Sequence, residues 1–75
     1  MSINEYREKI EEIKKILLYA HECVDESLCR IDGGIDTVNG QEMTFSHLDI
    51  LCARDHVKMV ADLIFEVATA KIEYQ

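Results

Sequence analysis

The run from Thr44 to Tyr74 most constrains what this chain can fold into. Thr44-Phe45-Ser46-His47-Leu48-Asp49 has the form of a helix start. Ser46 stands as N-cap, Asp49 sits three residues on where a capping-box acid belongs, and Phe45 is placed to staple onto Ile50. Beyond that start the apolar residues fall in three stripes. The main one is Ile50, Ala53, Val57, Val60, Ile64 and Val67, reaching Lys71. A second holds Ala61, Phe65, Ala68 and Ile72, and a third Leu48, Leu51, Cys52, Met59 and Leu63. A helix with apolar residues over more than half its circumference is not stable alone in water. The rest of the chain, or another chain, has to cover it.

The N-terminal half supplies one cover. Ser2-Ile3-Asn4-Glu5 is a capping box, and positions 3, 6, 10, 13, 17, 20, 24, 27 and 31 then alternate steps of three and four. All but Ser27 are apolar, the pattern of a helix lying nearly along a neighbour. Ile16, Cys23 and Leu28 widen the stripe, while Glu5–Lys9, Glu11–Lys15 and Glu26–Arg30 mark the wet face as i,i+4 pairs. Ser27 is expected to bond back to a backbone carbonyl, with a register-setting role as the alternative. Tyr6, Tyr19 and Tyr74 read as boundary residues with wet hydroxyls.

These halves predict an all-α fold: helix 1 over about 3–31, a turn-rich connector over about 32–46, and helix 2 over about 47–73, folded as an antiparallel hairpin in one domain. Gly33 or Gly34 can take the left-handed stop of helix 1, beside the favourably placed Arg30. Asn39-Gly40 is a strong two-residue hairpin turn signal, so a short β-hairpin or a tight turn is expected in the connector. Ile35, Val38, Met43 and Phe45 are then available to close the end of the bundle. With residue 31 opposite 47, Val57, Val60 and Ile64 face helix 1, and Ala61, Phe65, Ala68 and Ile72 lie to the side. Two helices bury one face each. The surplus stripes therefore predict a twofold dimer forming a four-helix bundle, with Ala61, Phe65, Ala68 and Ile72 at its interface.

Composition narrows the function. The chain has 75 residues, is 48% hydrophobic and carries a formal charge of −7 from 15 acidic and 8 basic residues. That balance opposes binding to nucleic acid or to an anionic membrane. The excess is concentrated in the connector, where Asp32, Asp36 and Glu42 have no base among them and could meet a basic partner. No signal peptide or spanning segment is visible, and three cysteines without framework spacing suggest reduced thiols and a cytoplasmic location.

Candidate chemistry is sparse. Cys52 and His56 are one turn apart, Cys23 lies near their level and His21 close by, so Cys23, Cys52 and His56 form a candidate metal or redox site. The competing reading makes the thiols small core residues. Glu8 with Glu11, and Glu22 with Asp25, have the spacing of magnesium-binding carboxylate pairs in all-α nucleotide pyrophosphohydrolases. Both pairs lie on helix 1, helix 2 offers no counterpart, and a solvated face accounts for them. An EF-hand counted from Asp32 fails, because Thr37 and Met43 stand where Gly and Glu are required. No phosphate loop or nucleophile–base motif is present. The expectation is a non-enzymatic protein without cofactor that binds itself and another protein as inhibitor, adaptor or regulator.

Overall fold

The computed structural model describes residues 1–74. The order is α1 (Ile3–Cys29), β1 (Ile35–Val38), β2 (Gln41–Thr44) and α2 (Phe45–Thr69). The helices pack against each other as a hairpin, and the strands form an antiparallel ribbon between them. Ser2 caps α1, its hydroxyl accepting from the Glu5 amide at 3.2 Å. The helix ends at Cys29, two residues before the expected limit. The Arg30 amide closes it by sharing the Glu26 and Ser27 carbonyls, and the Arg30 side chain leaves for α2.

Helix α2 begins earlier than its sequence suggests. Thr44, not Ser46, is the N-cap: its hydroxyl accepts from the His47 amide at 3.0 Å. Thr44 is also the last residue of β2, so it already has the extended backbone that a cap needs. Ser46 is thereby freed to face α1. Asp49 completes no capping box either; both its oxygens accept from Arg30, at 3.0 and 2.8 Å. Phe45 turns to Gly34 and Arg30, whose guanidinium lies 5.0 Å from the ring centroid.

At its far end α2 stops at Thr69 rather than near residue 73. The Thr69 hydroxyl donates back to the Phe65 carbonyl at 2.8 Å. The next residues run extended beside the N-terminus, where the Glu73 amide donates to the Met1 carbonyl at 2.8 Å and Ser2 bridges Glu73. Ile72 therefore lies beyond the helix.

The connector does form a β-hairpin. Asn39 and Gly40, both at positive φ (51° and 78°), make its two-residue turn. Of the four residues expected to close the end of the bundle, Ile35 remains 60% exposed while Val38, Met43 and Phe45 are half-buried. The molecule measures 54 × 23 × 12 Å, longer than the ~40 Å of a 27-residue helix, so the ribbon extends the long axis.

Burial is confined to a narrow line. Ala20 and Ser27 on α1 and Ala53, Val60 and Val67 on α2 are buried, with Val60 at 2% exposure. These positions repeat every seven residues, as in coiled coils. The Ser27 hydroxyl donates to the Ser46 carbonyl at 2.9 Å and lies 2.8 Å from the Ser46 hydroxyl. Ser27 therefore bonds across the interface and not along its own helix. Counting from that level sets Ala20 opposite Ala53, Ile13 opposite Val60 and Tyr6 opposite Val67. This register is roughly one helical turn from the one with 31 opposite 47. It leaves Val57 and Ile64, expected at the helix 1 contact, 49% and 42% exposed.

Candidate functional site

Two faces flank the buried line, and they differ in chemistry. Residues three positions beyond each α1 core residue, Lys9, Ile16, Cys23 and Arg30, face one side. On α2 the same side carries Asp49, Cys52, His56, Leu63 and Glu66. Lys9 pairs with Glu66 at 3.0 Å, Tyr19 stacks on His56 at 4.4 Å between centroids, Cys23 meets Cys52, and Arg30 holds Asp49. Apart from Ser27–Ser46 in the buried line, the polar links between helices thus gather along one seam. One of them displaces an expected intrahelical pair, since Lys9 takes Glu66 and not Glu5, while Arg30 keeps its expected i,i+4 pair with Glu26 at 4.0 Å.

Within this seam the Sγ atoms of Cys23 and Cys52 are 3.8 Å apart. His56 Nδ1 lies 2.7 Å from the Cys52 carbonyl oxygen and 3.8 Å from its sulfur. A carbonyl only accepts, so Nδ1 carries the hydrogen and directs it at the Cys52 backbone and sulfur. Burial, then the neighbouring Cys52 and the carboxylates of Asp49 and Glu26, push the Cys23 thiol above its usual pKa. Tyr19 is raised as well, first by the two sulfurs it overlooks. All three cysteines are free, and Cys29 is exposed.

Two thiolates of a tetrahedral zinc site stand ~3.8 Å apart, so the sulfur spacing alone would suit the metal. A third ligand is not gathered with them: the His56 nitrogen 3.8 Å from Cys52 Sγ carries a hydrogen, which leaves Nε2 as its free ring nitrogen, and His21 sits on another part of α1, paired with Asp25 at 3.4 Å. Among the described residues no group of three or more candidate ligands comes together. Glu8, Glu11, Glu22 and Asp25 are all exposed on α1.

The opposite face is apolar. Four positions beyond the core residues lie Ile10, Leu17 and Val24 on α1, Ile31 just past its end, and Ile50, Val57 and Ile64 on α2, each between 41% and 58% exposed; four beyond Val67 stands Lys71, past the end of α2. A step of four lies about 40° past the core line, and a step of three about 60° before it. In antiparallel helices the same sense of rotation leads to the same face of the hairpin. The two rows are therefore neighbours on one surface. A shallow cavity of about 190 Å³ lined by Ile3, Tyr6, Arg7, Ile10 and Glu11 opens at its end.

The rim of this surface has a pattern that the stripes alone did not reveal. The positions one beyond the core are Arg7, Lys14, His21 and Leu28 on α1, and His47, Arg54, Ala61 and Ala68 on α2. None of the chain's 15 acidic residues occupies either the apolar rows or these rims. Of the expected interface residues, Ala61 and Ala68 stand on the rim, Phe65 lies further round at 70% exposure, and Ile72 is past the helix.

The acidic connector is dispersed. Asp36 pairs with Met43 and Thr37 with Glu42, so alternation puts Asp36 and Glu42 on opposite faces of the ribbon. Asp36 also accepts from the Thr37 amide at 2.8 Å, and Asp32 precedes the ribbon in the turn.

The architecture defines a two-helix hairpin with a β-ribbon at its closed end. No family model matches this chain, and neither do the curated proteins or solved structures with which it was compared. No helix among the described residues is long and apolar enough to cross a membrane.

Proposed function

We propose that the chain acts as a homodimer, two hairpins stacked through the acid-free face into an antiparallel four-helix bundle, and that the dimer works by binding another protein as an inhibitor, adaptor or regulator. One observation carries the dimer. The hairpin is a single layer 12 Å thick exposing 5820 Å², against ~4,700 Å² for a compact protein of 8.6 kDa. The excess of roughly 1,100 Å² exceeds the ~800 Å² that each partner hides in a standard interface. A second layer is what domains use to bury such a face.

Chemistry favours a second copy as that layer. With the twofold axis along the helices, α1 lies over the partner's α2 and the register of the hairpin repeats between chains. Ile10, Leu17 and Val24 then meet the rows of Ile64, Val57 and Ile50. At the rim Arg7 and Lys14 cross Ala68 and Ala61, so long stems cover small residues while their charges stay wet. No carboxylate is buried. The outer surface keeps the acids, and the ribbon with Asp32, Asp36 and Glu42 is left free for a basic partner.

Light scattering at micromolar concentration should give twice the chain mass. To test the arrangement, each of two cysteine-free chains receives one new thiol, Leu17→Cys in one and Val57→Cys in the other. Mixed and oxidised, they should form a covalent heterodimer, while neither alone cross-links. A folded monomer defeats the dimer, and efficient linkage of the Leu17→Cys chain to itself defeats the arrangement.

A further inference from the structure

The sulfur pair on the polar seam is independent of the dimer face. Cys23 and Cys52 come from different helices, 29 positions apart in sequence, and their sulfurs are in contact at 3.8 Å. The contact is held from both sides. Toward the ribbon, Ser27–Ser46 and Arg30–Asp49 clamp the helices; toward the open end, Tyr19 stacks on His56. The neighbouring core pair is Ala20 and Ala53, small enough to let the backbones approach closely. Closing the gap to the ~2.05 Å of a disulfide asks for a movement of about 1.8 Å, within reach of side-chain rotation and a slight helix shift.

We propose that Cys23 and Cys52 form a reversible intramolecular disulfide stapling α1 to α2, with Cys52 as attacking thiol and Cys23 as resolving thiol. The two sulfurs differ in surroundings. The Nδ1–H of His56 lies 3.8 Å from the Cys52 sulfur, a donor placed beside that sulfur and not beside Cys23. Cys23 lies nearer the carboxylates of Asp49 and Glu26, which oppose its ionisation. Both are only partly covered, and they sit on the side away from the apolar face, so dimerisation leaves them reachable.

The co-reactant is a small disulfide of the glutathione class. The Cys52 thiolate attacks one of its sulfurs; a protein–glutathione bond forms, the glutathione S–S bond breaks, and one thiolate leaves with the electron pair. Cys23 then loses its proton and attacks the Cys52 sulfur, expelling the second thiolate. The two protons released by the protein end on the two leaving thiols. Two electrons pass to the small disulfide, and the protein dithiol is oxidised. Cys29 cannot take part, because six residues along α1 turn it about 120° from Cys23.

His56 is a positioning residue in this scheme. The test uses the full chain carrying Cys29→Ser, reduced and then equilibrated with graded ratios of oxidised to reduced glutathione. Intact mass should fall by two hydrogens, peptide mapping should find the Cys23–Cys52 link, and excess thiol should reverse it. The oxidised chain should also unfold at higher urea, since the link shortens the unfolded ensemble. With one further thiol removed, the Cys23→Ser chain should accumulate a glutathione adduct at Cys52 on the order of tenfold faster than the Cys52→Ser chain does at Cys23. Adding His56→Phe should abolish that difference, with helical circular dichroism unchanged. Stable glutathione adducts on both thiols without closure, or links only between chains, would overturn the proposal; a faster reaction at Cys23 would overturn the assignment of roles.

Discussion

Ser27 is the polar residue on which the two helices align. Its neighbours in the buried line are small or aliphatic, and its hydroxyl has one place to go, the backbone and side chain of Ser46. A buried hydroxyl left without a partner costs more than the bond gains, so the match selects one register among several a smooth apolar line would allow. Ser46 can answer because it is not the cap of α2. Thr44 fills that role, which leads to a prediction. Thr44→Ala should lower stability by about 1 kcal/mol in urea unfolding, whereas Thr44→Ser should retain most of it. An unchanged midpoint for Thr44→Ala would return the cap to Ser46.

At the scale of elements, the ribbon is the piece whose conformation depends most on single glycines. Gly40 takes φ +78° in the turn with open space around it, while Gly34 takes φ +111° where the chain leaves α1 for β1. An added Cβ at Gly34 would lie 3.5 Å from the Phe45 ring, an ordinary contact, so the penalty there is one of backbone conformation. Gly34 also accepts the Phe45 amide at 3.1 Å, which ties the entrance of the ribbon to the start of α2. Gly40→Ala should cost about 1 kcal/mol. Gly34→Ala should cost more and should reduce hydrogen-exchange protection at the Phe45 and His47 amides, whereas Gly40→Ala leaves those two amides protected. Equal effects of the two substitutions would show that Gly34 does not organise the start of α2.

On the scale of the whole molecule, two long helices in one layer leave, among the described residues, a buried line of only five: Ala20, Ser27, Ala53, Val60 and Val67. That line is thin support for a 75-residue chain, and the proposed dimer would supply the missing layer. Stability should then depend on protein concentration, the urea midpoint rising as the chain is concentrated. Val57→Asp, which places a carboxylate in the acid-free face, should abolish that dependence and lower the midpoint at high concentration. A midpoint that does not move with concentration in the wild-type chain would count against the dimer.

The sequence by itself determined the local elements: the Ser2 cap, two amphipathic helices of similar length, and the Asn39-Gly40 turn. Each of these is governed by neighbours within a few positions, so spacing and residue type suffice. It also made plain that the apolar stripes exceed what one hairpin can bury. Only the tertiary structure decided which stripe goes inside. The difference between 10, 17, 24 and 9, 16, 23 is a rotation of roughly 100° about α1, too small to read from periodicity on a helix with apolar residues on both flanks. It was settled by polar matches across the interface, Ser27 with Ser46, Arg30 with Asp49 and Lys9 with Glu66. Those matches join residues 19 to 57 positions apart, beyond the reach of local spacing. The same rotation brought the two thiols of Cys23 and Cys52 together and set two apolar rows side by side with no carboxylate in them, neither of which any one helix shows alone.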